Sequence, residues 1–282
     1  MVGTLLSRVS GLAREILTAV IFGAGASMAA FTVAVQIPNL IRSPVALTSA
    51  LVPAFTDLVE QGDEPRAWRV ASTIVSLILL FLIPVTLLSM WAAPAIVDLA
   101  VHEQFGQRDL AVALLRIMLP TVILMSLGGV VTGILNAYGH FSVPALAPVA
   151  WNAVVIVTVF ISAYTVPFGY QIHVYALGVL LGTLVQLLLP IPWLRHHGGR
   201  LWTAFAVRDS YVKAVLTGIM PVALGLILLD INILVNTYFS TRVPLDLIPR
   251  DTGPAVVDKA FRIFQLPEGV FALAVTAVFF PV

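Results

Sequence analysis

Four arginines, Arg8, Arg14, Arg42 and Arg262, stand inside or at the edge of apolar runs, and Glu15 adjoins the second of them. A cation at the centre of a bilayer costs at least about 2.5–3.5 kcal/mol, so a buried arginine faces a bundle interior or an aqueous cavity. Guanidinium keeps its charge and offers a planar fork of donors that matches phosphate oxygens. Several of them in one cavity would suit a phosphate-bearing ligand. In the opening stretch, MVGTLLSRVSGLAREILTAVIFGAG, Arg8 and Arg14 lie roughly 120° apart around a helix at about 100° per residue, while Arg8, Gly11 and Glu15 share a face. One helix thus presents basic groups over a wide arc, with a gap at Gly11. Arg42 follows Pro38 and Asn39 and precedes Pro44, on a stretch whose backbone we expect to be irregular. Arg8 and Arg262 have a second reading, in which each snorkels from a helix end to the headgroups. Arg14 and Arg42 lie farther from an interface.

Carboxylates in apolar surroundings are scarcer. Asp230 sits in LGLILLDINILVNTY, with Asn232 and Asn236 nearby. An intramembrane acid is a candidate for ion or proton coupling, and equally for a hydrogen bond, through Asn232, to a neighbouring helix. No enzyme constellation emerges. His196 and His197 fall in a basic loop without paired carboxylates, and His102, His140 and His173 stand alone. The glycines of FGAGAS follow no strand, which argues against a phosphate loop. With no cysteine, disulfides, thiolate metal sites and cysteine nucleophiles are excluded.

The elements that must position these residues are membrane helices. The 282 residues are 60% hydrophobic and 10% charged, with a mean hydropathy of +1.02, whereas soluble domains carry about 25% charged residues. This composition predicts an all-α polytopic membrane protein, and the net charge of +1 offers no basic mass for nucleic acid. Eight runs approach the length of about 20 residues that a bilayer needs: Thr4 to Gly23, Met28 to Val59, Val70 to Ala100, Leu110 to Tyr138, Pro144 to Tyr164, His173 to Leu194, Val212 to Phe239, and Phe261 to the end. Prolines interrupt them at positions 38, 44, 53, 84, 94, 120 and 221. Broken helices are tolerated where protein or a watery cavity satisfies the freed backbone, as in transporters, although ordinary kinks explain many such prolines. Arg66, Arg69, Arg195, Arg200, Arg208 and Lys213 fall in loops on one side, against only Arg108 in those on the other before the seventh run, with Arg116 just inside the fourth run, so the N-terminus is expected in the cytoplasm. Arg242, Arg250 and Lys259 run against that pattern, balanced by Asp246, Asp251 and Asp258. The last run, GVFALAVTAVFFPV, stops without a polar end, and we expect the N-terminal part of a longer chain.

The stretches SRVSGLAREILTAVIFGAG and FTVAVQIPNLIR, followed by ILNAYGHFSVPALAPVAWN, MPVALGLILLDINILVNTYF and FRIFQLPEGVFALAVTAVFFP, resemble the MurJ/MviN-type lipid II flippases over essentially the whole chain. The resemblance implies a fourteen-helix bacterial cytoplasmic (inner) membrane protein of the MOP exporter superfamily. Residues 1–200 would be its first six-helix lobe and 201–282 the start of the second. It implies that Arg8, Arg14, Arg42 and Arg262 line a central cationic cavity for the diphosphate of lipid II or a similar polyprenyl-linked saccharide, with Glu15 tuning or gating it. Membrane lipids and cell-wall assembly proteins are the other partners implied. No cofactor is expected, and coupling to sodium or to the membrane potential would fall to Asp230 with Asn232, the further sodium ligands lying beyond this chain. The sequence departs from the family pattern at Ala29, in a shortened stretch between Arg42 and Pro53, and at Phe261 and Gln265, which puts the polar gate contacts in question. Two alternatives stay open: an exporter of another polyprenyl-linked saccharide, and a non-transporting scaffold for cell-wall assembly.

Overall fold

Apolar runs separated by glycine, proline and aspartate fold into helices whose ends those residues set. The computed structural model describes residues 2–40, 44–196, 201–242 and 251–263, with the backbone alone at 2, 4, 40, 44–46, 195, 196, 222, 223 and 226–230. The helices are α1 (Val2–Phe22), α2 (Ala26–Leu40), α3 (Pro44–Glu60), α4 (Glu64–Trp91), α5 (Ala93–Ala100), α6 (Arg108–Met118), α7 (Thr121–Ala137), α8 (Ser142–Thr165), α9 (Phe168–Leu188), α10 (Ile191–His196) and α11 (Ser210–Ser240). A further helix, α12, is described over 253–263. Gly23, Gly62 and Gly139 end their helices at positive φ, where a Cβ would be strained. Asp63 caps α4 by accepting from the backbone N–H of Arg66, and Asp209 caps α11 by accepting from that of Tyr211.

Consecutive runs alternate between two ends of a helical bundle. At the first end, Gly3 near the start of α1 meets Ala145 near the start of α8, and Arg66 at the start of α4 pairs with Asp209 before α11 at 2.9 Å. At the second, the backbone N–H of His102 donates to Thr241 Oγ1 and that of Gly106 to Asp251 Oδ1, both at 2.9 Å. The loop assignment expected from hydropathy therefore holds within the described residues. Among the described residues, four spans are long and apolar enough to cross a membrane: Glu64–Trp91, Arg108–Ala137, Ser142–Thr165 and Phe168–Leu194.

The prolines divide into two groups. Pro94 and Pro120 coincide with breaks, between α4 and α5 and between α6 and α7, whereas Pro38, Pro53, Pro84 and Pro221 lie inside continuous helices. The broken runs feed two cores. Leu114, Leu115, Val97 and Ala34 join Val155, Ile172 and Tyr175 in one, and Phe55, Ile74, Ile134 and Val215 form the other. Helices α8 and α9 pack closely, and a Cβ on Gly182 would stand 3.1 Å from the carbonyl oxygen of Trp151.

The segment 201–206, read from the sequence as part of a polar break, is an extended strap along α4. Its alternate N–H groups at Trp202, Ala204 and Ala206 donate to the hydroxyls of Ser72, Ser76 and Thr73 at 3.3, 3.1 and 3.2 Å. A backbone without helical partners is thereby satisfied on the flank of a membrane span.

Candidate functional site

A glutamate flanked by cations organises the space between α1 and α12. Glu15 Oε1 accepts from Arg14 Nη2 at 2.5 Å and from Arg262 Nη1 at 2.7 Å, and its Oε2 accepts from Lys259 Nζ at 3.3 Å. Arg262 also donates through Nε to Asp258 Oδ2 at 2.8 Å, one turn earlier on α12. The Arg14 guanidinium lies over the Trp151 ring of α8, 4.6 Å from its centroid. Charge-assisted bonds of this kind are about twice as strong as neutral ones, and the half-buried setting shields them from water. With Arg8 on the same cavity, four cations face two carboxylates, a surplus of two positive charges.

Two cavities flank the cluster. An outer one of about 660 Å³ is lined by Arg8, Arg14, Glu15, Lys259 and Arg262, with Gly11 leaving room among them. An inner one of about 420 Å³ runs behind α1, bounded by Phe31, Asn39, Trp151, Asn152, Tyr175 and Gln186. Gly11, Arg14 and Arg262 belong to both walls. The arrangement offers guanidinium and ammonium donors, from two helices that are far apart in the chain, to a dense anion.

The structure brings Arg8, Arg14, Glu15 and Arg262 to one cavity. Arg262 does not open a helix, as the apolar run had implied. Helix α12 begins at 253, so Arg262 lies more than two turns past its start and pairs with Glu15 and Asp258. Arg42 and Gln265 lie outside the described residues, although Pro38 and Asn39 just before Arg42 line the inner cavity. Ala29 is fully buried in the apolar core, and Phe261 is half exposed. The side chain of Asp230 also lies outside the description, while Asn232 is exposed and accepts from Asn236 Nδ2 at 3.0 Å on its own helix. Sequence reasoning missed Lys259, Trp151 and Asn152. The signal for Lys259 was its spacing, since Asp258, Lys259 and Arg262 share a helical face once helix is granted there. Trp151 and Asn152 carry no such mark.

A bundle of apolar spans, broken beside a cationic cavity, is the build of a multi-pass membrane protein of transporter architecture. A family model for lipid II flippase MurJ matches residues 18–282, and the chain belongs to that family. Lipid II flippase MurJ of Burkholderia cenocepacia is 31% identical over 292 residues, covering 99% of this chain and 54% of that protein. The probable lipid II flippase MurJ of Buchnera aphidicola is 29% identical over 284 residues, covering 98% and 54%. The chain spans about half the length of the curated relatives it matches. Among solved structures it is similar in fold to a lipid II flippase MurJ in an inward closed conformation, at 22% identity with a TM-score of 0.78 over 98% of this chain and 56% of that one. An inward-facing multidrug resistance MATE family transporter of the MOP superfamily gives 22% identity and a TM-score of 0.70 over 92% and 58%.

Proposed function

We propose that this chain forms the substrate-receiving part of a lipid II flippase, which carries the diphosphate-linked headgroup from the cytoplasmic to the outer leaflet while the lipid tail stays in the bilayer. The observation that carries the reading is the meeting of Arg14 and Arg262, from α1 and α12, on the single carboxylate of Glu15 beside a cavity. A diphosphate offers the same charge-assisted bonds with more acceptor oxygens, so it competes with Glu15 for the guanidinium groups. Arg8 and Lys259 add attraction at the cavity wall, and Arg42 is the remaining ligand we assign. Release requires the cluster to loosen in a second state, which a movement of α12 against α1 supplies. We place the protein in the bacterial cytoplasmic membrane with its N-terminus inside, since Arg66, Arg69, Arg208 and Lys213 gather at that end of the bundle. Asp230 is our candidate for coupling to sodium or to the membrane potential.

Transport of fluorescent lipid II in reconstituted vesicles tests this reading. The full-length protein is expected to move it, and Arg14→Ala to slow the movement about a hundredfold, the loss of two charge-assisted bonds. An unimpaired Arg14→Ala variant at equal incorporation would remove the cluster from the mechanism.

A further inference from the structure

Helix α4 carries a cation and an apolar stripe on one face. Arg69, Ser76, Leu80 and Ile83 follow one another at helical spacing, so they line up along the helix. The strap 201–206 runs beside that stripe and leaves a groove of about 560 Å³, lined by Leu79, Leu80 and Ile83 of α4 and by Leu201, Trp202 and Phe205 of the strap. Ser76, the one α4 hydroxyl in the wall, is engaged in both directions: it donates to Ser72 O at 2.9 Å and accepts from the N–H of Ala204 at 3.1 Å. The groove therefore suits an apolar occupant. Its rims stay open, with Leu80 63% and Phe205 62% exposed.

Phe205 also belongs to the wall of a second cavity, of about 540 Å³, together with Arg69 and Arg208. Asp209, the carboxylate of that wall, is held by two bonds from Arg66, at 2.9 and 3.3 Å. Arg69 and Arg208 are exposed and pair with no carboxylate among the described residues. A cationic cavity and an apolar one thus meet at Phe205, and neither shares a residue with the cavities around Glu15. Their depths match one leaflet. Val75 and Pro84, at the two ends of the groove, lie roughly 9 and 22 Å beyond Arg69 along the axis at about 1.5 Å per residue. Headgroups and half of the hydrocarbon core together are about 20–22 Å deep. An acyl chain alone would leave the two guanidinium groups without a counter-charge, and a dissolved phosphate would leave the groove empty. A phospholipid serves both, its phosphate on the arginine forks and one chain in the groove. A choline or ethanolamine headgroup would bring its ammonium beside two arginines, so an uncharged glycerol headgroup is favoured.

We propose that the strap and α4 form a binding site for one anionic phospholipid of the leaflet at the first end of the bundle, with Arg69 and Arg208 on its phosphate and an acyl chain against Leu80, Ile83 and Trp202. The strap leads directly into α11, so the bound lipid fastens that connection to α4. The test uses brominated acyl chains, which quench tryptophan on contact. The full chain is placed in phosphatidylcholine nanodiscs containing increasing shares of brominated phosphatidylglycerol or brominated phosphatidylcholine, and the difference between the unaltered chain and Trp202→Phe isolates Trp202. Phosphatidylglycerol is expected to bind there about 25-fold more strongly, each arginine near a lipid surface being worth about fivefold. Arg69→Gln and Arg208→Gln, both exposed changes, are each expected to leave about a fivefold preference, and the double variant none. Equal binding of the two lipids in the unaltered chain would show unselective boundary lipid and overturn the site. A full preference in the double variant would place the anionic lipid elsewhere and also overturns it. Absence of quenching at Trp202 by either lipid would mean that protein covers the groove, a third contrary result.

Discussion

On the proposed reading, Glu15 competes with the anion for the cations that surround it. Removing its charge in Glu15→Gln is expected to tighten inorganic pyrophosphate binding about tenfold, since one charge-assisted competitor is gone. The same change should lower thermal stability, because Arg14, Lys259 and Arg262 then face one another without the carboxylate between them. Calorimetric titration and melting of the same preparation would show both, and an unchanged affinity would mean that Glu15 does not hold the anion's place. Most of this cluster was legible in the sequence. Ionised groups inside apolar runs are conspicuous because their burial has to be compensated, so Arg8, Arg14, Glu15 and Arg262 stood out. Asp258 and Lys259 did not, since Gly253 and Pro254 read as loop although proline is at home in the first turn of a helix. Asn152 is silent in sequence because its bonds to Ser7 and Ser10 cross a helix interface.

At the level of elements, three local devices join α4, α8 and the strap to their neighbours. Gly182→Ala should push α9 off α8, since the backbone carbonyl of Trp151 cannot yield as a flexible side chain would. A loss of about 1–3 kcal/mol is expected, read as a lowered melting temperature. Ser72→Ala with Ser76→Ala leaves the N–H groups of Trp202 and Ala204 without acceptors beside a membrane span, at about 1–3 kcal/mol each. Faster hydrogen exchange confined to 201–206 would report it, and unaltered exchange there would show that the strap is held by other means. At the first end of the bundle, the Arg66 guanidinium, helped by the N–H groups of Tyr211 and Val212, holds the Asp209 carboxyl below its usual range despite partial burial. A carboxyl lowered by folding stabilises the fold above its ordinary pKa, and that contribution disappears as pH falls through the lowered value. The stability gap between the unaltered chain and Asp209→Asn should therefore be present at neutral pH and close in acid below the usual aspartate range. None of these devices shows in hydropathy. The strap in particular looks like linker until the spacing of Ser72, Thr73 and Ser76 is matched to alternate N–H groups of an extended chain.

For the whole molecule, the alternation of spans was readable from the sequence because burial in a bilayer demands long apolar runs with charged or turn-forming residues between them. The breaks were only partly readable. Each interior proline loses one backbone bond, but packing decides whether the helix continues through it, as at Pro84, or divides, as at Pro94 and Pro120. Division at those points lets one membrane crossing contribute to two cores, with α6 in one and α7 in the other. The break between α6 and α7 also borders the inner cavity, which Met118 and Thr121 line together with Arg14. The central claim is that these cations receive the diphosphate of a lipid-linked headgroup. Its most direct test is rescue of cells depleted of their own lipid II flippase by the full-length protein, with and without Arg14→Ala and Arg42→Ala. Rescue by the unaltered protein, and none by the two variants at equal membrane abundance, is the predicted result. Growth restored to the unaltered level by the double variant would contradict it.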